Sequence, residues 1–201
     1  GANPPIQIEL LPIEPGLLFE ENGFRVSAFP VNHRGPGCYG FTFEEPSKRP
    51  FLPDIADQLG VPEGPIRGKL VKGKSVELPD GQIFDPEQVL GPLRKGTKLV
   101  HVGDCAKTKN LIEVCRGADG LVIEATYLES EKELAHQFGH LTAREAAELA
   151  MNAEVDTLYL THISRRYRDR QIHEEASLTF PNVHVARDFD TFEIRRKNSV
   201  L

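Results

Sequence analysis

The chain has 201 residues, 39% of them hydrophobic, and 24 Lys and Arg against 30 Asp and Glu give a net charge of −6. That length builds one good-sized domain with a real core and leaves room for an appended arm. No run approaches the roughly 18 apolar residues of a membrane span, no charged-then-apolar signal opens the chain, and the acidic balance confines any nucleic-acid contact to a local basic patch.

Residues 6–31 read as strands. In FRVSAFPVN (24–32), Phe24, Val26, Ala28 and Pro30 alternate with Arg25, Ser27 and Phe29, close to period two, and EENG just before is a turn signal. CYGFTFEE (38–45) reads as another strand. Residues 46–97 change character: eight of the 15 prolines and seven of the 17 glycines fall there. With apolar residues scattered between them, a partly ordered insertion projecting from the body is expected. Inside it, GPIRGKLVKGKSV (64–76) carries Arg67, Lys69, Lys72 and Lys74 and no acid.

From residue 98 the pattern is β/α. KLVHVGD is a short apolar strand, NLIEVCRGA a helix closed near Gly117, and GLVIEAT a strand ending at Glu124. LESEKELAHQF is helical and stops by Gly139, and TAREAAELAMNA (142–153) opens with a capping box of Thr142 and Glu145. DTLYLTH is a strand, RDRQIHEEASLTF a helix, and VHVARDFDTFEI one or two closing strands. No internal repeat is visible. Cys38, Cys105 and Cys115 lack CxxC spacing and read as reduced thiols of a cytoplasmic protein.

Three strands of this half end in groups able to bind a metal or move a proton: Asp104, Glu124 and His162. In open α/β sheets, ligands bind at the carboxyl ends of the strands. His33 follows the strand 24–32 in the same way, and His140 stands just before the capped helix. His136 and His140 have the spacing of a helical zinc pair, but Gly139 and the capping box break the helix between them. His101, His173 and His184 lie inside elements and read as structural. Taken singly, each tip residue has a plain alternative: a turn or cap for Asp104, a salt-bridge partner for Glu124, a packed ring for either histidine.

The joint pattern is more specific. VNH-(4)-CYGF, GD-(19)-EAT, GHLTAREAA and LTHISRRY occur in this order. The set resembles the second half of ribonuclease Z, the tRNA 3′-end processing endonuclease family of the metallo-β-lactamase superfamily. The resemblance runs from about residue 6 to residue 195, and PEGPIRGKL matches that family's arm.

It implies an α/β fold: half or more of a metallo-β-lactamase-type αββα sandwich, formed by 1–45 and 98–201, with residues 46–97 as a projecting, flexible, Pro/Gly-rich tRNA-binding arm. It implies a hydrolase of precursor tRNA, removing 3′ trailers with two zinc ions. His33 and His162 would each ligate one ion and Asp104 would bridge both, since a carboxylate offers two oxygens. His140 would protonate the leaving 3′-oxygen, with Glu124 holding its imidazole. Arg165 and Tyr167 would contact RNA near the site. Arg67, Lys69, Lys72 and Lys74 would hold the tRNA backbone through counterion release. A cytoplasmic homodimer without membrane contact is expected.

The family's His-x-His-x-Asp-His motif is absent. Three ligands cannot fill two first shells, so the chain is expected to be a fragment and inactive alone. Two rivals stand beside this reading: a hydrolase of small phosphodiesters or other esters on the same fold, and a non-catalytic tRNA-binding or dimerisation half that needs a separate N-terminal chain.

Overall fold

The computed structural model describes residue 6 and residues 9–195, which divide into two compact units, residues 46–96 and the remainder. The larger unit begins with a hairpin. Gly16–Glu21 (β1) and Phe24–Pro30 (β2) pair antiparallel across Asn22 (φ 51°) and Gly23 (φ 81°). Asn-Gly supplies the two left-handed residues that a tight hairpin turn requires. Tyr39–Glu44 (β3) pairs antiparallel with β2. The expected strand character before β1 is not found at 9–15, where Pro12 and Pro15 have no N–H to give a ladder; residues 7 and 8 lie outside the described residues.

The smaller unit has its own core of Ala56, Val61, Leu70, Val76, Phe84 and Val89, with Phe51, Ile66 and Leu78 packed against it. Its helices are Pro53–Gln58 (α1), Pro65–Val71 (α2) and Pro86–Val89 (α3), and Val76–Glu77 (β4) pairs with Ile83–Phe84 (β5). Its two ends run side by side, with Leu52 N bonded to Val89 O and Gly91 N to Pro50 O. The apolar residues that looked scattered therefore form a core. The prolines explain the difference: Pro53, Pro65 and Pro86 each open a helix. At that position the missing N–H would have had no intrahelical partner, and the fixed φ already suits a helix.

The chain then continues the sheet with Lys98–Gly103 (β6), Gly120–Glu124 (β7), Thr157–Thr161 (β8) and Val183–Val185 (β9). The strand order is β1-β2-β3-β6-β7-β8-β9. β3 is antiparallel to both β2 and β6, while β6, β7, β8 and β9 are mutually parallel. Thus β2, β6, β7 and β8 all point their carboxyl ends to the same edge.

One face of the sheet is covered by Ile112–Cys115 (α4), Ala143–Asn152 (α6) and Asp169–Ser177 (α7), while the short helix Lys132–Phe138 (α5) precedes α6 in the chain. The helix expected over residues 110–118 is one α turn after a 3-10 turn, Lys109–Leu111. Helix α6 has the expected capping box: Glu145 N donates to Thr142 Oγ1 at 3.2 Å, and Thr142 N donates to Glu145 Oε2 at 3.0 Å.

The other face is aromatic and only half covered. By register, Phe19, Val26, Phe43, Leu99 and Tyr159 alternate onto it, and Phe19 and Phe24 are exposed. The closing segment does not add a second strand among the described residues. A turn at Arg187–Asp190, with Phe189 at φ 71°, redirects it. Phe192 then lies 4.8 Å from the Tyr159 ring, and Ile194 fills the space left by Gly120, where a Cβ would meet Ile194 Cδ1 at 3.0 Å.

Candidate metal centre

Four loops leave the shared sheet edge. β2 runs out into Val31, Asn32 and His33; β6 into Asp104 after Gly103 (φ 69°); β7 ends on Glu124; and β8 delivers His162. His162 itself sits at φ 55°, a conformation uncommon outside glycine that persists where surrounding structure holds it. Ala106 N donates to Asn32 O at 2.7 Å, which ties the loop after Asp104 to the loop before His33.

These side chains converge. His33 Nε2 lies 3.9 Å from Asp104 Oδ2, and His162 Nε2 lies 3.7 Å from Asp104 Oδ1. The His140 ring centroid is 5.3 Å from that of His33 and 5.3 Å from that of His162. One ligand atom each from Asp104, His140 and His162 lie within 4.8 Å of one another. Asp104 and His162 are 41% and 52% exposed, whereas the His140 side chain is 13% exposed, so the cluster is open on one side and anchored on the other.

The anchor is Glu124, which is fully buried. Its Oε1 accepts from Cys105 N at 2.7 Å and from His140 Nδ1 at 2.9 Å. Its Oε2 accepts from Leu141 N at 3.2 Å and lies 2.5 Å from Thr126 Oγ1. A buried carboxylate is tolerated when its lone pairs are met in this way. Because a carboxylate only accepts, its bond assigns a proton to His140 Nδ1, and Nε2 is left as the nitrogen with a free lone pair. The same logic fixes His33, whose Nδ1 donates to Gly139 O at 2.8 Å.

Gly139 is the left-handed end of α5 (φ 73°), a backbone conformation that a side chain would strain, and a Cβ there would only reach ordinary contact with His33 Nδ1 and Arg34 Cγ, each at 3.5 Å. Arg34 Nε donates to Phe138 O at 2.8 Å, and its guanidinium lies 5.5 Å from the Phe138 ring centre. Successive residues 33 and 34 thus satisfy carbonyls at a helix end that no intrahelical N–H reaches.

The donor set suits a divalent transition ion. Imidazole nitrogens and a two-oxygen carboxylate are the ligands such ions take, and both cluster-facing histidines with assigned tautomers have their second nitrogen already bonded. Cys105, next to Asp104, is not available as a thiolate. Burial pushes its thiol up to about 11, opposed by a backbone hydrogen bond with Lys107 and reinforced by the charges of Glu124 and Glu145.

The residues expected to contact RNA fall into two groups. Lys69, Lys72 and Lys74 are exposed on the smaller unit and have no ion pair among the described residues. Arg67 is engaged within the unit. It donates to Asp57 Oδ1 at 2.5 Å and to Val61 O at 2.7 and 3.3 Å, and it packs against Phe51. Arg165 is exposed and unpaired among the described residues. Tyr167 gives its hydroxyl to Glu131, which also takes Arg166 Nη1 at 3.1 Å. His136 bonds Glu145 at 2.6 Å, away from the cluster's ligand set.

Sequence reasoning passed over Thr126, Arg34 and the Gly139 carbonyl. Thr126 sits in the EAT triplet and Arg34 follows His33 directly, so adjacency to a candidate ligand was the available signal.

A profile described as a β-lactamase superfamily domain matches residues 71–163. A ribonuclease Z from Bradyrhizobium diazoefficiens is 46% identical over 186 residues, which is 92% of this chain and 62% of that protein. One from Halalkalibacterium halodurans is 41% identical over 185 residues, 90% of this chain and 59% of that protein. The chain therefore spans about three fifths of the length of the curated relatives it matches. Among solved structures, the metallo-β-lactamase fold protein YhfI from Bacillus subtilis aligns with a TM-score of 0.54 at 17% identity, covering 90% of this chain and 51% of that one. Human tRNase Z, short form, aligns at 0.51 and 24% identity, covering 89% of this chain and 46% of that one. Both structural matches speak for the fold alone.

Proposed function

Since the chain belongs to the metallo-β-lactamase superfamily and matches ribonuclease Z along nearly all its length, we propose that the protein carrying it is a zinc-dependent endoribonuclease that removes 3′ trailers from precursor tRNA. The observation that carries this reading is the meeting of His33, Asp104, His140 and His162 at one sheet edge, with a buried carboxylate behind them.

In this mechanism His33, Asp104 and His162, which lie close to one another, would hold the ions. When bound, the ions supply Lewis-acid stabilisation of the charge that develops on the scissile phosphate and activate a water. His140 gives its Nε2 proton to the departing 3′-oxygen, as general acid. Glu124 keeps the ring oriented through Nδ1 and stabilises the imidazolium that precedes transfer. Lys69, Lys72 and Lys74 bind the tRNA backbone without reading sequence, and Arg165 takes phosphate near the site with its planar fork.

The remaining ligands come from outside this chain's donor set, because one carboxylate and two histidines do not complete two tetrahedral shells. The chain by itself is accordingly a half-site, in a cytoplasmic protein that works as a homodimer. No helix among the described residues is long and apolar enough to cross a membrane.

The test is cleavage of a precursor tRNA with a labelled trailer, beside a chromogenic phosphodiester, by the full-length protein and by this chain. The full-length protein is expected to release the trailer and Asp104→Asn to abolish release, with this chain inactive. Turnover of the small diester with no action on precursor tRNA would overturn the assignment. The homodimer is checked by sedimentation of the full-length protein.

A further inference from the structure

We propose that Glu131 is a positioning residue for RNA binding: its carboxylate latches the loop that follows β8, through Arg166 and Tyr167, and so fixes where Arg165 meets a phosphate of the substrate. The proposal rests on the nuclease reading above and adds to it the group that prepares this loop.

In the run 162–167 every side chain but one is engaged. His162 Nε2 lies 3.7 Å from Asp104 Oδ1, and Ile163 packs against the main core. Ser164 Oγ accepts from Arg166 N at 3.4 Å. Arg166 Nη1 donates to Glu131 Oε1 at 3.1 Å, and the Tyr167 hydroxyl donates to the other oxygen, Oε2. Arg165 is exposed and has no partner among the described residues. One carboxylate thus occupies a guanidinium and a phenol and leaves a single planar fork free for phosphate.

The carboxylate stands on a fixed support. Glu131 ends the 3-10 turn Glu129–Glu131. Glu129 N donates to both oxygens of Glu175 on α7 at 3.0 Å, and Thr142 Oγ1, at the cap of α6, donates to Glu129 Oε2 at 2.8 Å. The start of the loop is tied by Thr126, whose carbonyl accepts from Ser164 N at 3.3 Å and whose Oγ1 lies 3.0 Å from His162 O. Its far end is tied by the two bonds to Glu131, with the Tyr167 ring packed against the core. Arg165 lies between these two anchors.

A loop ordered beforehand does not have to be ordered at binding, and the saving is worth roughly twofold to tenfold in affinity. The sign of the effect separates a latch from a bystander. Removing an idle acid near a polyanion raises affinity, because repulsion is lost. Removing a latch lowers it.

Titration of precursor tRNA into the full-length protein tests this, with folding of each variant checked by circular dichroism. Glu131→Ala and Tyr167→Phe should each weaken binding roughly twofold to tenfold, and in both the RNA-free protein should exchange amide hydrogens faster across residues 162–168. The nearly isosteric Tyr167→Phe carries the test if Glu131→Ala does not fold. In an Arg165→Ala background, Tyr167→Phe should change affinity by less than about twofold, since the group that the latch serves is gone. The proposal is overturned if Glu131→Ala raises affinity, if Tyr167→Phe costs as much without Arg165 as with it (a direct RNA contact of the phenol), if exchange in the loop is unchanged, or if the unsubstituted protein does not bind precursor tRNA. Binding without cleavage would defeat the nuclease reading and leave the latch standing.

Discussion

The two units of this molecule use charged residues in opposite ways. In the larger one the polar groups that matter are pinned: Glu124 is fully buried and accepts four hydrogen bonds, and His33 and His140 each have one nitrogen committed. In the smaller one the cations that matter, Lys69, Lys72 and Lys74, point into solvent without partners among the described residues, and the one arginine of the run is spent on structure. The contrast follows from the tasks proposed for each. Chemistry at a phosphate needs groups held to fractions of an ångström, and low local dielectric strengthens their interactions. Holding a nucleic-acid backbone needs only mobile positive charge and gains by releasing counterions.

The largest effect that would test this contrast is on catalysis. His140→Ala in the full-length protein should lower turnover of precursor tRNA by roughly 10²–10⁴ with tRNA affinity retained, as read by single-turnover kinetics beside a binding assay. An equal loss in affinity would mean that the larger unit's histidine is doing the work assigned to the arm.

Next is the independence of the small core. Phe84 is 2% exposed among six buried residues. Phe84→Ala should cost about 3–5 kcal/mol of local stability. Hydrogen exchange should then show lost protection across residues 46–96 and none in β6–β8. Simultaneous loss in both would show a single cooperative unit.

Arginine and lysine within one run should separate more finely. Arg67→Ala removes two donors from the Val61 carbonyl and should destabilise the small unit by about 1–2 kcal/mol, the pair with half-exposed Asp57 being discounted for screening. Lys69→Ala with Lys72→Ala should leave stability within about 0.5 kcal/mol but make the slope of log affinity against log salt shallower by roughly 1.5. Urea unfolding and tRNA titrations at several salt concentrations measure the two.

The smallest effect is on pH dependence. Burial raises the thiols of Cys105 and Cys115 from 9.0 to about 11 and about 12. Groups raised on folding stabilise fully below their unfolded value, so this contribution is present at neutral pH and is lost as pH climbs from 9.0 through the folded values. Unfolding free energy should fall over that window, and less steeply in a Cys105→Ala, Cys115→Ala double variant. At pH 8 the native chain should show one reactive thiol, half-buried Cys38, and all three after denaturation.

Much of the local structure was legible. Asn22-Gly23 announces the hairpin, Thr142 and Glu145 the capping box, and period-two runs the strands. The prolines of residues 46–96 misled because the same residue breaks a helix interior and opens a helix at its first position; only the packing of Leu70, Val76 and Phe84 distinguishes a folded unit from a loose one. VHVARDFDTFEI left one or two closing strands open, and one forms, Val183–Val185; the alternation continues through a turn that carries Phe192 and Ile194 onto the second face of the sheet.

What the sequence determined by itself is therefore whatever depends on neighbours a few positions apart: turns, caps, strand periods, and the order in which Asp104, Glu124 and His162 appear at strand ends. Only the tertiary structure decided that these residues meet. The meeting requires β3 to reverse direction twice over, so that β2 runs parallel to β6 and presents His33 at the same edge. It also requires the Gly139 carbonyl to reach a ring 106 residues away and Glu124 to reach both Cys105 and His140. Hydrogen bonds over such separations are chosen by sheet direction and core packing, which no short stretch of sequence encodes.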